Sequence, residues 1–168
     1  MYYMPMRSKC YFGVHKVEYL GHYISGDGIS TDPKKVAAVW EWPVPKTVKQ
    51  LRGFLGLTGY YRRFIKGYGQ IAQPLAALFK SSGNLKWTTE ADAAFKSLKV
   101  AMTEAPVLAM PDFSQEFIIE TDASGNGIGA VLMQHGRPIA FISKALAVKH
   151  QSLSAYDKEM FAILFAVR

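Results

Sequence analysis

The segment 117–134 constrains the fold of this chain more than any other stretch. It reads FIIETDASGNGIGAVLMQ: an apolar run to Asp122, a polar turn, three glycines at alternate positions and a second apolar run. Because side chains alternate between the two faces of a strand, Ile128, Ala130 and Leu132 share one face. A carboxylate at the inner end of a buried strand is costly unless it is paired. The segment therefore predicts a strand–turn–strand unit whose Asp122 binds a metal ion or a nucleic acid.

The residues around and after this segment predict a small sheet and one helix. Strands are expected over 116–123, 127–134 and 137–143, as an antiparallel meander with tight turns. Ser154 and Asp157 resemble a capping box, so a helix is expected to begin there and to continue to the end of the chain. Its predicted buried face consists of Tyr156, Met160, Ile163, Leu164 and Val167.

Glu159 lies just beside that face and is the second carboxylate of interest. If the helix packs across the sheet, Asp122 and Glu159 converge, with Glu120 on the same side of the strand as Asp122. Convergent carboxylates suit Mg²⁺ or Mn²⁺. The alternative, which spacing alone favours, is that Asp122 only caps the turn and Glu159 is a solvated helix residue. The glycines after Asp122 are also compatible with a phosphate loop, but the spacing of a dinucleotide fingerprint is missing and a strand follows.

Charge is distributed unevenly along the 168 residues. Residues 1–87 hold 13 basic and 4 acidic side chains, whereas residues 88–168 hold 7 basic and 9 acidic ones. A basic half joined to a slightly acidic half indicates that one part binds a polyanion and the other does something else. The alternative is a solvated surface that happens to be rich in lysine.

The cysteine count and the hydropathy restrict the setting. Cys10 is the only cysteine, which excludes an intrachain disulfide and a thiolate metal cluster and fits the cytoplasm or nucleus. No run of about 18 apolar residues predicts a membrane span, so no membrane partner is expected.

The first half of the chain predicts a β-hairpin followed by helices. The hairpin covers 11–29, with strands at 11–14 and 17–24 and a turn signal at 26–28. Four helices are expected, beginning after Asp32, after Thr47, at Gly69 and after Thr88 or Thr89, and reaching to about Trp42, Lys66, Lys80 and Pro106. A turn at 81–84 separates the third helix from the fourth, and an extended linker covers 105–115.

The second of these helices has two distinct faces. Its predicted core face consists of Leu51, Phe54, Leu55, Tyr61 and Ile65. A separate sector consists of Lys49, Arg52, Gly56, Tyr60 and Arg63. Glycine in a helix costs about 1 kcal/mol against alanine, so Gly56 and Gly59 need a reason. They admit either a nucleic-acid backbone or a neighbouring helix, and the sequence leaves both interpretations open.

Several separate stretches, in one order, carry a resemblance to a known family. They read KCYF and VEYLGHYI (9–12, 17–24), TVKQLRGFLGL and GYYRRFI (47–57, 59–65), APVL (105–108), and ETDAS, GAVL and YDKE (120–124, 129–132, 156–159). The chain resembles the polymerase polyprotein of Ty3/gypsy-type long-terminal-repeat retrotransposons, over nearly its whole length. The resemblance implies an α+β fold: a β-hairpin and a small helical thumb-like bundle, followed by a truncated RNase H-like unit made of a three-stranded antiparallel meander and a helix.

The resemblance also implies domains and roles. Residues 1–31 would end the reverse-transcriptase palm, 32–108 would form a thumb and connection region, and 109–168 would begin an RNase H domain. The hairpin residues that would grip the primer are Tyr19, Leu20, Gly21 and His22. On the long helix, Arg52, Gly56 and Tyr60 would follow the minor groove of a template–primer duplex. Asp122 and Glu159 would bind Mg²⁺ or Mn²⁺ for the cleavage of RNA in an RNA–DNA hybrid.

Other parts of the family pattern are missing from the chain. The paired palm aspartates would lie before Lys9, and the third and fourth RNase H carboxylates would lie after Arg168. We therefore expect no polymerase activity and weak or no nuclease activity from this chain by itself. Its expected partners are nucleic acid, the remainder of the polyprotein in a virus-like particle, and a second copy that completes the sheet if residues 113–168 are not poorly ordered. The alternative is a non-catalytic remnant that binds nucleic acid or protein.

Overall fold

The computed structural model describes residues 10–80 and 85–167. In chain order its elements are β1 (Lys16–Tyr19), β2 (His22–Ser25), β3 (Gly28–Thr31), α1 (Pro33–Trp40), α2 (Val48–Tyr60), α3 (Tyr68–Ala77), α4 (Thr89–Thr103), β4 (Ile118–Ala123), β5 (Gly127–Gln134), β6 (Arg137–Ala145), α5 (Val148–Gln151) and α6 (Ala155–Ala166). The mixed helix and strand fold is confirmed, with two three-stranded antiparallel sheets, β1-β2-β3 and β4-β5-β6. The predicted turn at 81–84 lies outside the described residues.

The first sheet corrects the predicted hairpin. Residues 11–14 are not a strand, and the segment 17–24 is divided by a two-residue turn at Leu20 and Gly21. Both turn residues have positive φ, 49° and 74°, as a tight turn matched to the strand twist requires. Leu20 is not a typical turn residue, so the residue pattern did not predict this turn, and only the family resemblance related residues 19–22 to the tip of a hairpin. The predicted turn at Gly26 and Asp27 instead connects β2 to β3.

The helical region follows the predicted caps. Asp32 Oδ1 accepts a hydrogen bond from Lys34 N (2.9 Å), and the hydroxyls of Thr47 and Thr88 cap α2 and α4 in the same way. The helix α2 ends at Tyr60, earlier than predicted, because a 3-10 turn over 62–64 and a left-handed Gly67 (φ 69°) intervene before α3. The buried core of this region includes Val39, Leu51, Phe54, Leu75, Phe95, Leu98 and Met102.

The second sheet forms the predicted meander. Asp122 pairs with Gly129 across β4 and β5, and the β5–β6 ladder has one register shift at Leu132/Met133. Ser154 Oγ accepts a hydrogen bond from Asp157 N (3.1 Å) and donates one to Asp157 Oδ2 (2.7 Å), which confirms the predicted cap of α6.

The predicted buried face of α6 is wrong. Tyr156 is 75% exposed and Val167 is 64% exposed, and Met160, Ile163 and Leu164 are also exposed. The helix instead buries Ala162, in a small cluster with Ile128 and Leu146. Every residue from 160 to 167 is apolar, so hydrophobic periodicity could not select a face. The small Ala162 allows the helix to approach the sheet closely.

The predicted linker over 105–115 is paired to both regions. Leu108 forms an isolated antiparallel bridge with Ile29, and Ala109 N donates to Pro138 O at 2.7 Å. The bridge requires Gly28, because an added Cβ there would lie 2.0 Å from Leu108 O. The division of the chain at residues 31 and 108 stays a prediction. Among the described residues, no helix is both long and apolar enough to span a membrane.

Candidate nucleic-acid interface and carboxylate pair

The turn between β1 and β2 is held against the end of α2. We call residues 19–22 the tip. Tyr60 donates its hydroxyl to Leu20 O, and Tyr61 donates its hydroxyl to Gly21 O at 2.6 Å. The structure therefore brings the tip and the end of α2 together. In the sequence, only the family resemblance related these two groups of residues.

Aromatic packing fixes His22, the last residue of the tip. The ring of His22 lies 5.1 Å from that of Tyr60, 5.4 Å from that of Tyr61 and 5.5 Å from that of Phe64, between ring centroids. Such pairs add to the free energy that simple burial provides. Burial, and secondarily the charge of Asp32, raises the pKa of the Tyr61 hydroxyl to about 12.

The outer part of the tip faces solvent. Tyr19 is 60% exposed and Leu20 is 70% exposed. A positive φ is uncommon for a bulky residue such as Leu20, and strained conformations of this kind occur preferentially at functional sites. The hydrogen bond from Tyr60 to its carbonyl oxygen stabilises that conformation.

The second predicted sector of α2 is exposed along its length. We call it the outer face; it consists of Lys49, Arg52, Gly56, Tyr60 and Arg63, and all five residues are exposed. The first four lie on α2, whereas Arg63 lies in the 3-10 turn that follows it, which corrects the prediction of one continuous helical sector. Among the described residues the single ion pair is Lys96–Asp92. Within that part of the chain, no carboxylate therefore forms an ion pair with Lys49, Arg52 or Arg63. Arg52 lies over the ring of Phe79 at 5.7 Å.

The two helix glycines now have different explanations. An added Cβ at Gly56 would meet no atom within 4 Å, so no neighbouring helix requires a glycine at this position. An added Cβ at Gly59 would lie 3.2 Å from the hydroxyl oxygen of Tyr68, so packing within the region explains that glycine. The packing interpretation therefore applies to Gly59 and not to Gly56.

Sequence reasoning placed Tyr61 only in the core and did not assign it a role at the tip. Tyr61 is buried, yet its hydroxyl holds Gly21. A buried tyrosine hydroxyl needs a hydrogen-bond partner, and this requirement was the signal that could have identified a second function for the residue.

Asp122 lies near the end of β4 and is exposed, as is most of that strand, so the expectation of a carboxylate on a buried strand is wrong. It lines a cavity of 160 Å³ together with Glu120, Lys66 and Gln70. Its carboxylate makes no hydrogen bond to the described part of the chain, and the turn that follows is capped by Ser124, whose Oγ accepts from Gly127 N at 3.1 Å. The alternative in which Asp122 serves as the turn cap therefore loses its support.

Glu159 is exposed on the second turn of α6. Ala162, one turn later on α6, and Ala123, next to Asp122, belong to the same apolar cluster. The segments that carry the two carboxylates are thus adjacent.

The donor set suits a hard divalent cation but is small. Carboxylate oxygens are the ligands that Mg²⁺ and Mn²⁺ prefer. Within residues 10–80 and 85–167, no group of three or more His, Cys, Asp or Glu side chains is placed to hold a metal ion. Two carboxylates alone do not make such a site, so the assignment of Asp122 and Glu159 as metal ligands stays a prediction.

Comparisons with known proteins identify the relatives of this chain. Residues 87–168 match the family model described as an RNase H-like domain found in reverse transcriptase. The chain is 42% identical over 161 residues to the retrovirus-related Pol polyprotein from transposon 297 of Drosophila melanogaster, covering 95% of this chain and 15% of the polyprotein. It is 38% identical to the corresponding polyprotein from transposon gypsy of the same organism, over 96% of this chain and 17% of the polyprotein.

This chain belongs to the retrotransposon Pol family. The predicted relationship to gypsy-type polyproteins is thereby confirmed. An uncharacterized mitochondrial protein of Arabidopsis thaliana is 55% identical over 114 residues, which cover 67% of this chain and 72% of that protein. Because the chain spans less than a fifth of the two Pol polyproteins, the activities of the whole polyproteins come to it only as proposals.

Solved structures confirm the fold of this Pol-family chain. The foamy viral protease-reverse transcriptase in complex with an RNA/DNA hybrid matches 91% of this chain and 21% of its own length, with a TM-score of 0.84 and 24% identity. The same viral protein in complex with dsDNA matches with the same TM-score and 23% identity, over 92% of this chain and 33% of its own length.

Proposed function

We propose that this chain grips the backbone of an RNA–DNA hybrid or a template–primer duplex with the tip and the outer face of α2. The observation that carries the proposal is an exposed surface on α2 and the turn after it, with three cations and with open space at Gly56. The tip, which the same helix holds through Tyr60 and Tyr61, extends this face. The foamy viral relatives of this fold are complexes with dsDNA and with an RNA/DNA hybrid, which supports the choice of ligand.

Each part of the surface has a physical task in this proposal. Lys49, Arg52 and Arg63 neutralise phosphates and release counterions, which supplies most of the affinity. Gly56 presents no side chain, so the sugar–phosphate backbone can approach the helix closely. The rigid aromatic cluster around His22 keeps the tip at a fixed position relative to the cations.

Asp122 and Glu159 are proposed to supply two carboxylate ligands of an RNase H-type metal site for Mg²⁺ or Mn²⁺. Such an ion, when bound, activates water for phosphodiester cleavage. The proposed role of this chain is to present the two carboxylates from β4 and α6 and to hold the hybrid close to them. The proposed partners are the nucleic acid and the remainder of the polyprotein, and the proposed compartment is the cytoplasm or nucleus.

The test is the binding of a fluorescein-labelled hybrid duplex across a series of salt concentrations. The logarithm of the affinity should fall steeply with that of the salt concentration, by about 0.9 per phosphate contact. The variant R52A/R63A should reduce this slope by about 2 by the same relation. The matched control K34A/K35A removes two lysines from α1, outside the outer face, and should retain most of the slope. Binding that is insensitive to salt would instead favour a protein-interaction module.

A further inference from the structure

A second group of cations lies where the helical region meets the second sheet. Arg62, Arg63 and Lys144 line a cavity of 650 Å³ that also includes Tyr68. The 160 Å³ cavity with Lys66 and Asp122 adjoins it, because Phe141 and Ile142 line both. We call the two cavities together the junction cleft.

The cations of the junction cleft come from both regions. Arg62 and Lys66 precede α3, whereas Lys144 lies on β6. All three are exposed, and none has an ion-pair partner within the described ranges. The sequence did not single them out, because Lys144 lies in the slightly acidic half, and only the fold brings it to the arginines.

The junction is held by close contacts that fix the spacing of these cations. Gly69 N donates to Ser143 Oγ at 2.8 Å, and an added Cβ at Gly69 would lie 2.9 Å from Ser143 O. Gln70 Nε2 donates to Ile128 O at 3.2 Å, and Gln70 occupies the space that a side chain at residue 127 would need. Two glycines thus allow α3 to pack directly against β5 and β6.

The junction cleft is continuous with the proposed duplex interface. Arg63 lines both the junction cleft and a cavity of 560 Å³ at the tip, which Tyr19, His22 and Tyr60 also line. At its other end the cleft reaches Asp122 and Glu120. A polyanion that leaves the outer face of α2 past Arg63 therefore meets Arg62 and Lys144 and then Lys66, next to the carboxylates.

We propose that Arg62, Lys66 and Lys144 form a second phosphate-binding surface, which guides the backbone of the same duplex from the outer face of α2 to Asp122. This inference rests on the proposed duplex binding. A regular nucleic-acid backbone fits the cleft better than an acidic peptide does, because the cations occur on separate elements along one path and carboxylates close the far end.

The test compares R62A/K66A/K144A with wild type in salt-dependent binding to a hybrid of 24 base pairs. The triple variant should lower the salt slope by about 2.7, at 0.9 per lost contact. The charge-conserving variant R62K/K66R/K144R should keep the slope. The matched control K34A/K35A/K86A loses the same charge outside the cleft and should lower the slope much less. Thermal unfolding followed by circular dichroism checks that all variants are folded.

The outcomes separate this inference from the proposed function. If R62A/K66A/K144A and K34A/K35A/K86A lower the slope equally while R52A/R63A lowers it further, duplex binding stands and the second surface is refuted. If wild type itself shows no salt-dependent binding, the proposed function fails and the inference fails with it. A slope that falls equally in the alanine and charge-conserving variants would also overturn the inference, since charge would then not be the cause.

Discussion

The helices α2 and α6 bury their apolar residues to different extents. The core face of α2 packs into a closed cluster in which Leu51 and Phe54 are fully buried. The helix α6 buries Ala162 and leaves several large apolar side chains exposed. The exposed surface of α2 is basic and contains a glycine, whereas that of α6 is apolar. The helical region therefore supplies its own core, whereas the second sheet leaves apolar surface that its own core does not cover.

The largest effect that we expect in this comparison comes from matched truncations in the two helices. Phe54→Ala should cost about 3–5 kcal/mol of unfolding free energy, because its ring packs against those of Trp42 and Phe95 at 6.0 and 4.5 Å. Leu164→Ala, at a side chain that is 52% exposed, should change it by less than about 0.5 kcal/mol. Urea unfolding measures both. Comparable losses would mean that α6 buries its apolar face in solution.

A smaller effect concerns the buried tyrosine at the tip. The pKa of Tyr61 is raised from 10.0 to about 12, so its contribution to stability is complete below pH 10 and is lost as the pH rises from 10 to 12. Tyr61→Phe should cost about 0.5–1.5 kcal/mol at neutral pH through the lost hydrogen bond, and it should flatten the alkaline decline. The measurement is urea unfolding from pH 8 to pH 12. Tyr60→Phe is the matched control, and a decline that persists unchanged in Tyr61→Phe would contradict the assignment.

The smallest effect is the one that separates packing from binding on α2. Gly56→Ala should stabilise the fold by up to about 1 kcal/mol, because the position is helical and a Cβ meets open space. The same methyl group should weaken hybrid binding, because it stands where the backbone of the duplex approaches. Chemical denaturation and fluorescence anisotropy on one protein preparation measure the two effects. Equal or tighter binding by a more stable variant would remove Gly56 from the interface.

Local patterns were sufficient where each segment carried its own signal. The caps at Asp32, Thr47 and Ser154 were predicted because their side chains bond to backbone groups a few residues away. The two faces of α2 were predicted because polar and apolar residues alternate at the helical period. The carboxylate positions on β4 and α6 followed from the same patterns, and the family resemblance supplied their proposed role.

The features that were missed depend on distant residues. Gly69 and Ser143 are 74 positions apart, so no local pattern relates Lys66 to Lys144. The tip turn at Leu20 depends on hydrogen bonds from residues on α2. The buried face of α6 was mispredicted because apolar residues occur on all sides of the helix, so the hydrophobic pattern does not identify which side is buried. The packing of Ala162 against the sheet determines that side.

Hydrogen–deuterium exchange reports whether the outer face of α2 and the tip bind nucleic acid. Exchange is measured on the whole chain with and without saturating RNA–DNA hybrid. We expect slower exchange in peptides that cover the tip and residues 47–66, and unchanged exchange in peptides that cover α6. Slower exchange confined to α6, with no change at the tip or in α2, would show that these two surfaces do not bind the hybrid.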